Sequence, residues 1–198
     1  MSDAHEHMEH AEHAQHAASE NKKIALLIAV LALFLSFSET LGKSAQTEGI
    51  DANVKSADTW AFYQAKDIRK TVITAIADQT ALLAANTADA GLKAALDKQI
   101  GTWRAVAAHY ESDPKAGNGR KELAVQAKAQ EEDRNLAMAK YHHYELASAA
   151  FQVGIVLASA TVITGIVALA WFAGALGAIG LGLLALGIFA PHLMETLF

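Results

Sequence analysis

The 198-residue chain has no cysteine and only two prolines, Pro114 and Pro191. The lack of thiols excludes disulfides, thiolate metal sites and a cysteine nucleophile. Few prolines leave long helices uninterrupted, and no stretch alternates apolar and polar residues over the length of a strand. We therefore predict an all-α fold. The formal net charge of −5 provides no basic surface for a nucleic acid.

Charged side chains are missing from a long C-terminal stretch. From Leu146 to Leu193 there is no Asp, Glu, Lys or Arg, over more than twice the ~20 residues that a transmembrane helix needs. One straight helix of this length would rise ~70 Å, which exceeds the hydrocarbon thickness of ~30 Å. The stretch therefore predicts two spans joined by a turn.

A second apolar run, from Ile24 to Leu41, is longer than most signal-peptide cores and is followed by no A-x-A site, so we interpret it as an uncleaved first span.

Between these runs lies a segment that holds every lysine and arginine except Lys22 and Lys23. Helical periodicity predicts one helix from Asp51 to Ala88, a second from Leu92 to Tyr110 and a third that begins near Arg120 and enters the membrane. The first helix carries an apolar stripe formed by Trp60, Tyr63, Ile68, Val72, Ile76 and Leu83. The predicted segments are a polar tail (1–21), a first span (22–42), an extramembrane antiparallel helical hairpin or small bundle (43–145) with a loop near 113–119, a second span (146–165), a third span (167–190) and a C-terminal tail (191–198).

Two sequence patches carry a family resemblance. The first is W-A-F-Y-Q-A-K-D-I-R at residues 60–69, and the second is Y-H-H at 141–143 leading into F-Q-V-G-I-V-L-A-S at 151–159. With one span before the middle segment and two after it, the chain resembles the bacterial family called domain of unknown function 4337 over roughly residues 22–189. The resemblance implies a turn near residues 164–166, although family members have a basic turn there and this chain has none; composition alone also allows a turn at Ala173 and Gly174. It implies no activity, no catalytic residue and no cofactor.

The N-terminal tail contains the most distinctive chemical pattern. His7, His10, His13 and His16 recur every three residues between glutamates, and imidazole and carboxylate groups are ligands for zinc, nickel and copper. Weak binding of a divalent metal is one interpretation. A solvated tail with adventitious affinity is the other, and we favour it because nothing in the pattern would hold the ligands in a fixed geometry.

Polar and small residues within the spans are further candidates. Glu39, near the end of the first span, suggests proton or ion handling, but it lies close enough to Gly42 to reach headgroups and water, and we favour this interfacial interpretation. For Gln152 we favour a hydrogen bond between helices over a pore lining. Small residues in the third span predict close packing against the hairpin partner or a neighbouring subunit: Gly174, Gly177, Gly180 and Gly182.

The aromatic and basic patch is formed by Trp60, Tyr63, Gln64, Lys66 and Arg69. We favour packing of its two aromatic side chains against the returning helices, with Lys66, Arg69 and the adjacent Lys70 solvated. The alternative is contact with a partner protein or a second protomer.

We find no nucleophile elbow, P-loop, dinucleotide fingerprint or paired catalytic carboxylates. We predict a non-enzymatic scaffold or accessory subunit of the bacterial inner membrane, which forms a homo-oligomer or joins a larger membrane complex. The alternative is a small oligomeric channel or transporter for protons or metal ions. Lys22 and Lys23, compared with Lys43 alone, favour a cytoplasmic N-terminus and a periplasmic middle segment. The many basic residues of the middle segment favour the reverse, but long segments translocate largely regardless of charge.

Overall fold

The computed structural model describes the backbone of residues 2–193 and the side chains of residues 22–192. Over this part of the chain there is no strand, and the predicted all-α class is confirmed. Three of the helices, α1, α3 and α4, are long and apolar enough to cross a membrane. The elements are α1 (Ser2–Ala85), α2 (Ala90–Glu111), α3 (Arg120–Thr164), α4 (Val167–Phe189) and a short 3-10 helix (Pro191–Leu193).

The breaks between helices have local causes. The side chain of Asp89 caps α2 by accepting hydrogen bonds from the backbone nitrogens of Gly91 and Leu92, at 2.7 and 3.1 Å, which satisfies two amides that the first turn leaves unpaired. Helix α3 is followed by Gly165, whose φ of 72° is left-handed and whose amide donates to the Thr161 carbonyl at 2.9 Å. This geometry is typical of a glycine helix terminator, and it ends α3 at the turn that the family resemblance implies.

The chain divides into two compact units. Unit 1 comprises Met1–Glu48 and Leu136–Phe198. Its core is formed by Leu31, Ala147 and Phe151, and the ring of Phe151 stacks on that of Phe34 at a centroid distance of 6.0 Å. Leucines of α4 complete this cluster, so α1, α3 and α4 pack together as three neighbours.

Unit 2 comprises Gly49–Asn135. It is a helical hairpin whose second arm is interrupted by the loop between α2 and α3. The later part of α1 packs against α2 through Ala77, Ala84 and Ile100. The earlier part of α1 meets α3, where Ser56 donates a hydrogen bond to the Ala127 carbonyl. Helices α2 and α3 thus follow one another along a single face of α1.

The packing face of α1 is therefore not the apolar stripe expected from the sequence. That stripe mixes two sides of the helix. Its first two members, Trp60 and Tyr63, contact the returning chain, whereas Ile68 and Val72 are 64% and 51% exposed. The buried positions of this helix are mostly small, because closely packed helices accommodate alanine and serine at the contact.

Candidate functional site

The aromatic and basic patch of α1 contacts the loop that separates α2 from α3. Lys66 is only 7% exposed, and its Nζ donates a hydrogen bond to Oδ1 of Asn118 at 3.1 Å. The same ammonium group lies 5.3 Å from the ring centroid of Tyr110 and 5.5 Å from that of Phe62, distances at which cation–π attraction operates. The expectation that Lys66 is solvated is wrong. It is a buried cation that joins α1 to α2 and to the loop.

The aromatic members of the patch join α1 to α3. Nε1 of Trp60 donates a hydrogen bond to Oε1 of Glu131 at 2.8 Å, and Trp60 contacts Tyr63 edge-on. The guanidinium group of Arg120 lies over the Tyr63 ring, 5.2 Å from its centroid, and pairs with the carboxylate of Asp67. Asp67 interrupts the apolar periodicity of α1 because it provides this ion pair at the start of α3.

Two carboxylates, Glu111 before the loop and Glu122 after it, accept hydrogen bonds that hold the loop in place. Glu111 accepts a hydrogen bond from Nζ of Lys70 at 2.7 Å, and this bond lowers the pKa of Glu111. Lys70 was also expected to be solvated, and it is instead paired. Glu122 accepts from Oγ of Ser112 at 2.6 Å and from the backbone nitrogen of Asp113 at 3.1 Å, and the hydroxyl bond is the main reason why the pKa of Glu122 is lowered. The loop is therefore held in place at both of its ends.

One glycine makes this closed loop sterically feasible. A Cβ added at Gly119 would overlap the Asp113 backbone nitrogen and the Ser112 Cα. Any residue other than glycine at this position would push the two ends of the loop apart.

The remaining two patch residues flank the outward face of α1, ~140° apart around the helix. Gln64 and Arg69 are exposed, while Trp60, Tyr63 and Lys66 hold the returning helices. The aromatic and basic patch thus combines an internal anchor with two exposed polar side chains. Asn118, which completes the anchor, could not be identified from the sequence because it lies 52 residues from Lys66 in a loop with no helical periodicity.

In unit 1 the structure brings two predicted candidates together. Nε2 of Gln152 donates a hydrogen bond to Oε1 of Glu39 at 3.3 Å, and both side chains are exposed. Glu39 also borders an open groove of about 320 Å³ with Lys43 and Glu145. Gln152 therefore bonds between helices, and its partner is the carboxylate that the sequence presented as a separate candidate.

Two polar contacts inside unit 1 were not anticipated. Oγ of Ser38, fully buried, donates to the Tyr144 carbonyl at 2.8 Å. The fully buried His143 contacts the Pro191 carbonyl through Nε2 at 3.1 Å, and we assign Nε2 as the protonated nitrogen because a carbonyl only accepts. Its exposed neighbour His142 follows one residue earlier, so the sequence offered no signal for choosing between them.

The glycines of α4 separate into two groups. A Cβ at Gly177 would lie 2.7 Å from Cδ2 of Leu31, and one at Gly180 would lie 2.7 Å from Cε1 of Phe151. Gly187, which the site prediction did not include, is equally close to the ring of Tyr144. Beside Gly174 and Gly182, in contrast, no described atom lies within 4 Å of such a Cβ. The first group permits packing within the chain, and the second group leaves open surface.

The four tail histidines, His7, His10, His13 and His16, lie outside the residues whose side chains are described. Within residues 22–192, no group of three or more metal-ligating side chains is placed to hold an ion.

Comparison with known proteins identifies the family of this chain. No curated protein and no solved structure matches the chain. The pattern of one family, described as Domain of unknown function (DUF4337), matches residues 20–190, which include both patches that carry the resemblance. The chain therefore belongs to the family Domain of unknown function (DUF4337).

Proposed function

We propose that the protein is a non-enzymatic membrane scaffold or accessory subunit of the bacterial inner membrane. In this proposal α1, α3 and α4 each cross the bilayer, and unit 2 lies outside it as an antiparallel helical hairpin. Helix faces that remain uncovered within one chain would bind a larger membrane complex or further copies of the protein.

The observation that carries the proposal is the polarity of unit 1. Large apolar side chains point outward, among them Val156 at 65% exposure, Trp171 at 79% and Phe189 at 85%. Polar side chains such as Ser38 and His143 are fully buried. In water such an arrangement would expose a large apolar surface, whereas in hydrocarbon it satisfies polar groups inside the bundle and presents apolar groups to lipid.

Uncovered helix faces support the role in assembly. The open side of α4 carries Gly174 and Gly182, and small residues allow the backbones of neighbouring membrane helices to approach closely. In unit 2, α1 is covered by α2 and α3 on one face only. Burying the exposed apolar face of α1 against another protein would stabilise the chain.

Membrane extraction and mass measurement test the proposal. Washing isolated membranes with alkaline carbonate should leave the protein in the pellet, together with a known integral protein as control. In mild detergent its mass should exceed the 21.0 kDa of one chain, through self-association or a co-purifying partner. Release by carbonate, or a strict monomer without partners, would contradict the proposal.

Labelling of single cysteines tests the orientation, because the native chain has none. With a cytoplasmic N-terminus and a periplasmic middle segment, a cysteine in place of the exposed Lys98 should react with an impermeant maleimide in intact cells. A cysteine in place of Ser2 should react only after lysis. The reversed pattern would establish the opposite orientation.

The hydrogen bond between Glu39 and Gln152 favours a second candidate, an oligomeric channel or transporter for protons or metal ions. Both residues are exposed on unit 1, so a pathway along them needs walls from several chains. Proteoliposomes should then conduct protons or divalent metal ions, and Glu39→Gln should reduce the flux at least about tenfold if this carboxylate carries the ion. Absence of flux, or equal flux in the variant, would refute this candidate.

A further inference from the structure

Unit 2 has a long apolar surface that no described residue covers. It follows α1 in steps of three or four residues, and alanines and one glutamine, Gln79, occupy the turns between its large side chains. We call this surface the α1 stripe. Its large members are 51–69% exposed: Ile50, Val54, Ile68, Val72 and Leu82.

The α1 stripe lies opposite the packing face of the same helix. Ala77, which contacts α2, follows Ile68 by nine residues, and at ~100° per residue these two side chains point to opposite sides. From Ile50 to Leu82 the stripe extends ~50 Å along the helix. Its average step is close to the 3.6-residue period of a straight helix, so it remains on one face instead of spiralling around it.

We propose that the α1 stripe pairs with the α1 stripe of a second copy of this chain, in parallel and in register. This inference rests on the proposed membrane function, because copies of one chain take the same orientation in a bilayer. A two-fold axis along the membrane normal then brings equivalent residues together. At ~50 Å long and ~10–12 Å wide, the stripe offers about 500–600 Å² of mostly apolar surface per copy, at the lower end of what each partner of a specific interface buries.

The edges of the stripe suit this alignment. In a parallel helix pair, a residue on one edge meets the residue five positions later on the partner. Arg69 thereby faces Gln64 of the second copy, and Asp58 faces Asn53. In both pairs a charged side chain meets a neutral amide, so no like charges oppose each other there; Oδ1 of Asn53 also accepts a hydrogen bond from Nη1 of Arg134 at 3.3 Å, and its amide nitrogen remains to donate to Asp58. Gln64 and Arg69, the two exposed residues of the aromatic and basic patch, thus lie on the two edges of the contact.

The alanines allow the pair to pack closely. Ala57, Ala61 and Ala75 are exposed on the stripe, and small residues at a helix contact permit interaxial distances near ~8 Å. Ile68 and Val72 then form an apolar layer with Ala61 on one side and Ala75 on the other.

Disulfide trapping in the cysteine-free chain tests the register. Ala61→Cys, Ile68→Cys and Ala75→Cys are each produced in the full-length protein and oxidised in isolated membranes. Because a disulfide needs Cα atoms within ~7 Å, each variant should form at least about fivefold more covalent dimer than control variants off the stripe. Lys55→Cys and Thr74→Cys are suitable controls, since both positions are exposed and neither lies on the stripe.

The crosslinking pattern decides the outcome. Equal crosslinking of stripe and control variants, or no dimer at all, would overturn the pairing. Dimer from Ile68→Cys alone would indicate a crossed contact and would overturn the parallel register. If crosslinking fails while the protein still resists carbonate, the pairing fails and membrane insertion stands, whereas release by carbonate contradicts the proposed function itself.

A charge placed on the stripe gives an independent measurement. Val72→Asp should halve the protein mass in detergent, to that of one 21.0 kDa chain, because two carboxylates would face each other across the contact. Thr74→Asp, two residues away, should retain the mass of two chains. Circular dichroism should show unchanged helicity in both. A dimeric Val72→Asp protein would overturn the proposal.

Discussion

Replacing two glycines of α4 by alanine should have opposite effects on stability. A Cβ at Gly180 would lie 2.7, 2.9 and 3.0 Å from three ring atoms of Phe151. This ring is fully buried and stacked on Phe34, so it has little room to move. A Cβ at Gly182 meets no described atom within 4 Å. The two substitutions are chemically identical and lie on the same helix.

The comparison isolates the steric effect. Alanine stabilises a helix by ~1 kcal/mol relative to glycine, and this gain is common to both variants. Overpacking costs ~1–3 kcal/mol and applies only to Gly180→Ala. The two variants should therefore differ in stability by ~1–3 kcal/mol, which is about 2–12 °C in melting temperature for a chain of this size.

Thermal unfolding of the detergent-solubilised protein, followed by circular dichroism, measures this difference. Gly180→Ala should melt below the native protein, and Gly182→Ala should melt at or above it. Adding Phe151→Leu to Gly180→Ala should recover part of the loss, because it removes the ring that the new methyl group contacts. If the two alanine variants melt at the same temperature, or in the reverse order, the assignment of these two faces of α4 is wrong.

Three further predictions concern unit 2. Lys66→Met should destabilise the protein by ~1–3 kcal/mol in chemical denaturation, because it removes a buried hydrogen bond and two cation–π contacts, while Arg69→Met on the exposed side should change stability by less than ~0.5 kcal/mol; equal losses would contradict the inward position of Lys66. Because the pKa of Glu111 is lowered in the folded state, its charge stabilises the fold above the unfolded-state pKa, and this contribution disappears as the pH falls through the folded-state value. Glu111→Gln should therefore be less stable than the native protein at neutral pH and equal to it in acid, and parallel stability curves in a pH titration would contradict the assignment. Gly119→Ala should lower the melting temperature because of the backbone overlap in the loop, whereas Gly101→Ala, which meets no described atom, should raise it slightly.

Local features of the sequence explain some helix ends but not all of them. The sequence predicts a separate helix from Asp51, whereas α1 continues unbroken from the first span, and composition alone leaves the turn before α4 open between residues 164–166 and Ala173–Gly174. Asp89 and Gly165 act on the residues beside them, so the caps they form are visible in the chain itself. The aromatic and basic patch around Lys66 is also apparent from the sequence, but the sequence predicts incorrectly that its lysine is solvated. Lysine is usually solvated, and the burial of this one depends on Asn118 and Tyr110, which are distant in the chain. No periodicity within α1 indicates that these partners exist.

The sequence by itself determined the helical class, the loop near residues 113–119 and the presence of three helices apolar enough to span a membrane. Each of these depends on composition and on interactions within a few residues. Only the tertiary structure decided which face of each helix is covered. It placed Gly180 against Phe151 and left Gly182 open, and it turned Ile68 outward while burying Lys66. Helical periodicity reveals that an apolar face exists, but contact with α2 and α3 decides whether that face is used within the chain or left for another.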